Sequence, residues 1–119
     1  MPRILVVDDE PDQRFLLRRI FERARHEVID AGDGAAALRV VHESPPDLVV
    51  TDMMMPITDG TELIRRLRDD PATEGIPILA ASGDIHLAAA ADAIVPKPYL
   101  WQHLLAVADG LLEEGRGQV

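Results

Sequence analysis

The sequence contains no cysteine, which excludes disulfides, thiolate metal sites and cysteine nucleophiles. No apolar run approaches the roughly 20 residues that span a bilayer. The start, Met1-Pro2-Arg3 ahead of Ile4–Val7 and then Asp8-Asp9, is too short and too soon acidic for a signal peptide. A cytoplasmic location is therefore expected. Positive charge is scarce, with 12 Lys and Arg against 21 Asp and Glu and a formal net charge of −9. Nucleic acid and anionic lipid are bound mainly through Lys and Arg, so direct binding of either is not expected. Internal repeats and linker-like stretches are lacking too. At 119 residues and 47% hydrophobic content, one domain with a packed core is expected over 1–119, with a frayed, disordered tail at about 115–119.

What is present is an alternation of apolar runs and amphipathic stretches. Ile4–Val7 is short, apolar and β-branched, as in a strand covered on both faces. Asp12–Arg25 reads as a helix whose apolar stripe is Phe15, Leu16, Ile20 and Ala24, with the arginines mostly on the other side. His26–Ala31 is a weaker strand, and Ala35–His42 is a helix that stops at Ser44-Pro45-Pro46. Asp47–Thr51 is a strand ending at Asp52; a loop then leads to a helix over Thr61–Arg68. Pro77–Ala81 and Ala93–Val95 read as strands, separated by a short Ala-rich segment at Leu87–Ala91, and Leu100–Leu112 closes the chain as an amphipathic helix. Five strands alternating with helices call for an α/β fold, a doubly wound parallel sheet with helices on both faces. In such sheets the site lies outside the carboxyl ends of the strands.

The polar residues at those ends are Asp8-Asp9, Asp52, Ser82 and Lys97. Three carboxylates converging at one edge repel one another, so they recruit a cation or shift their pKa values upward. A hard divalent ion with oxygen ligands, Mg²⁺, suits them. Lys97 adds a positive charge and Ser82 a hydroxyl. The set fits a tetrahedral oxyanion bridged to Mg²⁺, a phosphoryl group, and an aspartate can itself be the nucleophile that carries it as an acyl phosphate. Taken singly, each residue has a plainer reading: the acidic pair as a helix cap, Asp52 as a loop residue, Ser82-Gly83 as a turn, and Lys97 between two prolines as surface. Their order at four strand ends is the signal.

The blocks Ile4–Asp9, Asp52–Pro56 with Asp59-Gly60, Pro77–Ser82 and Lys97-Pro98 resemble, in order and over nearly the whole chain, the signatures of receiver domains of two-component response regulators, of the single-domain chemotaxis type. The resemblance implies a flavodoxin-like, five-stranded parallel sheet of order 2-1-3-4-5. It implies Asp52 as phosphoacceptor, Mg²⁺ held by Asp8, Asp9, Asp52 and the backbone carbonyl of Met54, and Ser82 and Lys97 on phosphoryl oxygens. It also implies a cis Lys97–Pro98 bond and a partner that is a sensor histidine kinase or histidine phosphotransfer protein. Such a domain acts on itself, by phosphotransfer and autodephosphorylation, and is not otherwise an enzyme. Two alternatives compete. A pseudo-receiver interaction module typically lacks an acidic-pair residue, the acceptor or the lysine, all present here. A Mg²⁺-dependent aspartyl phosphatase needs an acid/base Asp where Met54 stands.

The chain departs from the family pattern twice. The aromatic residue usual three positions before the lysine is Ile94, and only 15 positions separate Ser82 from Lys97, which leaves a shortened fourth helix near Leu87–Ala91. Readout through that face is therefore expected to be atypical, with movement in Met53–Gly60 and Gly83–Ala91 and with the protein monomeric. Asp84 and Met54 occupy positions that tune phosphate lifetime in the family. Tyr99 and Trp101 are expected to pack the last helix on the body of the domain. His26, His42, His86 and His103 lack metal-ligand spacing and read as surface residues.

Overall fold

The computed structural model describes residues 2–53, 60–82 and 91–114. Met54, Asp84, His86, the Ala-rich segment up to residue 90 and the tail at 115–119 lie outside the described residues. So do most of the two loops in which movement is expected.

The elements run β1 (Arg3–Val7), α1 (Pro11–Arg23), β2 (Glu27–Ala31), α2 (Gly34–Glu43), β3 (Leu48–Asp52), α3 (Gly60–Asp69), β4 (Ile78–Ser82), β5 (Ala93–Pro96) and α4 (Trp101–Glu114). All strand pairs are parallel, in the order β2-β1-β3-β4-β5. The fold is thus the flavodoxin-like one that the strand pattern and the family likeness imply. Boundaries move by a residue or two from the sequence reading, and the two shifts that matter place Asp52 and Ser82 inside their strands.

The sheet separates two cores. One contains Leu5, Val7, Val49, Ile78 and Ala80 with Ala37 and Val41 of α2 and Leu63, Ile64 and Leu67 of α3. The other contains Ile4, Val6, Leu48, Val50, Leu79 and Val95 with Leu17 and Phe21 of α1 and Leu104 and Ala108 of α4. Successive side chains of β1 thus point to opposite cores, which is why Ile4–Val7 is apolar without alternation. Right-handed crossovers account for the segregation of the helices. The chain steps one way from β1 to β2 and the other way thereafter, so α1 falls on one face and α2 and α3 on the other. The reversal leaves a crevice between β1 and β3 at the carboxyl edge, where Asp8, Asp9 and Asp52 emerge.

The stripe expected on α1 is corrected by the structure. Leu17 and Phe21, one turn apart, are buried on the sheet, whereas Phe15 and Leu16 are 61% and 48% exposed. Phe15, Leu16 and Ile20 instead border a groove of about 630 Å³ between α1 and α4, opposite Trp101 and Leu105. Trp101 is likewise 55% exposed rather than packed on the body, while Tyr99 does pack against the α1/α4 core. His26 is no surface residue: its side chain is 10% exposed, stacks at a tilt on Phe21 and lies 3.4 Å from Asp109 of α4.

Local signals explain the helix ends. Pro11 opens α1, and Asp33 caps α2 by accepting the Ala36 N–H at 2.8 Å. α1 ends with the His26 N–H on the Phe21 carbonyl at 3.1 Å and with Arg25 in the left-handed region at φ 69°. At the amino edge of the sheet, Asp92 accepts from Arg68 Nη2 at 2.6 Å and from the Ile78 N–H at 2.7 Å. This nearly buried pair ties the end of α3 to the starts of β4 and β5.

Candidate functional site

The site is assembled by strand ends. β1 delivers Asp8 and Asp9 one and two residues past Val7, β3 ends on Asp52, β4 ends on Ser82, and Lys97 follows β5 directly. Parallel register sets them side by side: Val7 lies opposite Thr51, Asp52 opposite Ala81, and Ser82 opposite Pro96.

One carboxylate oxygen from each of Asp8, Asp9 and Asp52 lies within 4.8 Å of the others. Among the described residues no other trio of His, Cys, Asp or Glu comes so close. Asp8 and Asp52 are buried and Asp9 is exposed, so the cluster has a closed floor and an open mouth. Hard oxygen donors, two of them buried and all of like charge, fit Mg²⁺. Burial pushes the Asp8 carboxyl above its ordinary range, and the charges of Asp52 and Asp9 add to this, while the Glu10 N–H and Lys97 draw it partly back. Across the crevice Lys97 Nζ meets Asp52 Oδ1 at 2.8 Å. The Lys97–Pro98 peptide is cis, and the Lys97 N–H donates to the Ser82 carbonyl at 2.9 Å. Ser82 is fully buried at the end of β4, next to β3.

The plainer reading of the acidic pair is excluded by geometry. The residue that caps α1 is Glu10, whose side chain makes no capping bond. Asp8 instead accepts the Glu10 N–H at 2.9 Å, a short local turn that holds its carboxylate at the crevice. Every described member of the expected set is therefore brought together; Met54 lies outside the described residues. Ile94 is half-buried against the α2/α3-side core.

Arg14 near the site escapes the reading of the sequence, and Tyr99 and Gly60 stand closer to it than that reading implies. Arg14 of α1 donates through Nη1 to the Asp8 carbonyl at 2.8 Å. Its sequence signal is its place one turn before Arg18, on a face directed toward Asp30. Tyr99, two residues past Lys97, is half-buried near the cluster; burial raises its hydroxyl pKa first, and the charges of Asp8 and Asp52 raise it further. Gly60 opens α3 hard against the Asp52–Met53 backbone.

Comparison with known proteins agrees with this architecture. A family model described as the response regulator receiver domain matches residues 4–109. The chain is 40% identical over 115 residues to the response regulator MprA of Mycobacterium sp. (strain KMS), covering 92% of this chain and 50% of that protein. It thus spans about half the length of such curated relatives. Among solved structures, a response regulator described as putative from Chloroflexus aurantiacus J-10-fl superposes with a TM-score of 0.89 at 30% identity, covering 94% of this chain and 98% of that one. The response regulator TrrA of Thermotoga maritima, solved in complex with Mg²⁺-BeF, superposes with a TM-score of 0.85 at 31% identity, covering 93% and 99%. No helix among the described residues is long and apolar enough to cross a membrane.

Proposed function

The chain belongs to the response regulator receiver domain family, the phosphoacceptors of two-component signalling, and from that premise we propose that it accepts a phosphoryl group on Asp52. The observation that carries this reading is the Lys97–Asp52 contact at 2.8 Å, made beside a carboxylate trio that fits Mg²⁺.

In the proposed step an Asp52 carboxylate oxygen attacks the phosphorus of a phosphohistidine on the donor. The O–P bond forms as the N–P bond breaks, and the electron pair leaves with the imidazole, which is protonated from solvent. Asp8, Asp9 and Asp52 would hold Mg²⁺, joined by the Met54 carbonyl in the family pattern, and the ion when bound neutralises phosphoryl oxygen charge. Lys97 neutralises the Asp52 carboxylate before transfer and is positioned to pair with a phosphoryl oxygen after it. Ser82 supplies a hydroxyl to another oxygen. Burial of Asp8, Asp52 and Ser82 at the floor of the crevice lowers the local dielectric and strengthens these interactions. The donor is a sensor histidine kinase or a histidine phosphotransfer protein. The domain acts in the cytoplasm and turns over nothing but its own phosphoryl group.

The test is labelling with acetyl phosphate in Mg²⁺. Wild type should gain one phosphoryl group and Asp52→Asn none, with Asp52→Asn folded by circular dichroism. Labelling of Asp52→Asn at the wild-type level would remove Asp52 from this role. No labelling of wild type would indicate a pseudo-receiver, and turnover of phosphomonoesters a phosphatase.

A further inference from the structure

We propose that Arg14 is a positioning residue for the cation site, acting through the backbone of Asp8; the inference rests on the reading of Asp8, Asp9 and Asp52 as the Mg²⁺ site. Arg14 stands on the first turns of α1 with its side chain three-quarters buried. Its guanidinium spans two anchors: Nε meets Asp30 Oδ2 of β2 at 3.2 Å, and Nη1 donates to the Asp8 carbonyl at 2.8 Å. Gly32 closes over the same group. A Cβ on that residue would lie 3.2 Å from Arg14 Nη1, so the lack of a side chain there leaves room for the guanidinium.

The acceptor gives this contact its meaning. The Asp8 carbonyl belongs to the peptide that joins the two acidic residues, so fixing it fixes the plane from which the Asp9 side chain departs. Asp8 is then restrained on three sides. Its N–H donates to the Ala31 carbonyl at 3.2 Å, its carboxylate accepts the Glu10 N–H at 2.9 Å, and its carbonyl accepts from Arg14. Asp9 is exposed, and the rigidity of the Asp8–Asp9 peptide presents it to the ion.

A salt bridge to Asp30 alone does not account for this arrangement. Arg18, one turn later, already reaches Asp30 Oδ1 at 3.2 Å, and only Arg14 also reaches the metal-binding turn. A planar fork can bond two acceptors at once, which a lysine ammonium on a flexible stem does less well. Partners that orient metal ligands from outside typically govern metal affinity by 10- to 100-fold.

Electrostatics and positioning predict opposite signs here. Removing a positive charge beside a cation site tightens Mg²⁺ binding by Coulomb's law, whereas removing a positioning residue weakens it. The experiment is calorimetric titration of Mg²⁺ into wild type, Arg14→Ala, Arg14→Lys and Arg18→Ala, with melting in EDTA to establish that each is folded. Arg14→Ala should bind about 10-fold more weakly or worse. Arg14→Lys, which keeps the charge and can serve one anchor, should fall between it and wild type. Arg18→Ala should match wild type. Unchanged or tighter Mg²⁺ binding by Arg14→Ala overturns the proposal and leaves the site reading intact. Failure of wild type to bind Mg²⁺ overturns the site reading and this proposal with it. Should Arg14→Ala not fold, wild-type affinity in Arg14→Lys is the overturning result.

Discussion

Gly60→Ala should destabilise the protein by about 2 kcal/mol and slow phosphorylation of Asp52, two effects from one clash. Gly60 opens α3, and its N–H donates to the Met53 carbonyl at 3.2 Å. Its φ is not in the left-handed region, so the constraint is space and not conformation. A Cβ there would stand 2.6 Å from Met53 Cα, 2.7 Å from the Asp52 carbonyl oxygen and 2.7 Å from Met53 Sδ. Carbon contacts relax to about 3.5–4.0 Å, so roughly 1 Å must be found. Two of the three obstacles are backbone, and the third belongs to the buried side chain of Met53. Overpacking of this kind costs about 1–3 kcal/mol, and its backbone character puts it at the upper end. Against that, alanine in a helix gains up to about 1 kcal/mol over glycine, less at a first residue. Urea unfolding in EDTA should show a midpoint lower by about 1 M with an unchanged slope. The displaced Asp52 backbone carries the nucleophile with it, and misplacement on the 1 Å scale can slow a reaction by about 100-fold. Labelling by acetyl phosphate should therefore slow at least several-fold in protein that is still folded. A Gly60→Ala variant as stable as wild type would refute the packing argument, and wild-type labelling despite lost stability would refute the link to the site.

Three further outcomes are expected. Asp9→Ala should raise stability in EDTA by about 1 kcal/mol, because unit charges within 4.8 Å of each other repel by about 3 kcal/mol or more at an effective dielectric near 20 before exposure and the Lys97 charge are discounted; it should also lose the Mg²⁺ stabilisation, about 2.7 kcal/mol at 100 times Kd, and an unaltered Mg²⁺ response would place the ion elsewhere. His42 directs Nδ1 at the Leu38 carbonyl, 2.8 Å, and Nε2 at Asp70 Oδ2, 3.0 Å; both neighbours accept, which raises the imidazole pKa, first through Asp70, and lowers that of Asp70, first through His42. The contribution of His42 is therefore full below its unfolded pKa of about 6.5 and lost as pH rises through the higher folded value, while that of Asp70 fades as pH falls through its lowered one, so the melting difference between wild type and His42→Gln should be widest near pH 5–6, and an equal difference near pH 9 would contradict it. Arg25→Gly should stabilise by about 0.5–1 kcal/mol, since a non-glycine residue at φ 69° costs about 1–2 kcal/mol and glycine returns part of that as unfolded-chain entropy; a lower urea midpoint would show that the arginine side chain does more than tolerate the turn.

The sequence located the clustered polar residues better than the packing, for physical reasons. β1, β3 and β4 are buried on both faces, so each carries an apolar run (4–7, 48–50 and 78–81) that turns polar at its carboxyl end, in β3 through Thr51 and then Asp52. Asp8, Asp52 and Ser82 could be found that way because a parallel sheet forces catalytic groups to its carboxyl edge. α1 misled the reading because it has two apolar faces. Leu17 and Phe21 meet the sheet, while Phe15, Leu16 and Ile20 border the groove to α4, and hydrophobicity alone does not rank them. His26 and Trp101 exchanged expectations for a related reason. A histidine in a tight helix–strand turn is drawn under α4, and a tryptophan opening a helix sits at the rim of the groove. Arg14 was hidden because its link to the site is a bond to a backbone carbonyl, an acceptor every residue offers and no sequence marks.

The short passage from β4 to β5 shows how the two departures from the family pattern fit one fold. A parallel crossover needs its strands registered at both ends. Here side chains and backbone supply that registration at the strand termini. At the amino edge Asp92 takes bonds from Arg68 and from the Ile78 N–H, and its own N–H donates to the Ile78 carbonyl at 2.9 Å. At the carboxyl edge the Lys97 N–H bonds the Ser82 carbonyl, opposite the Ser82–Pro96 pairing. β5 is therefore fastened to β4 at each end over only four residues. A shift of Ser82 toward a phosphoryl group would pull on the Lys97 backbone through this bond, which links the two groups proposed to meet phosphoryl oxygens. Ile94, between the fastened ends and packed on the α2/α3-side core, has no polar tip to draw it outward. Its response to that pull is a change in packing, typically within about 1.5 kcal/mol. The link between the strand ends that carry the hydroxyl and the lysine is a backbone hydrogen bond, so it does not depend on an aromatic side chain at position 94.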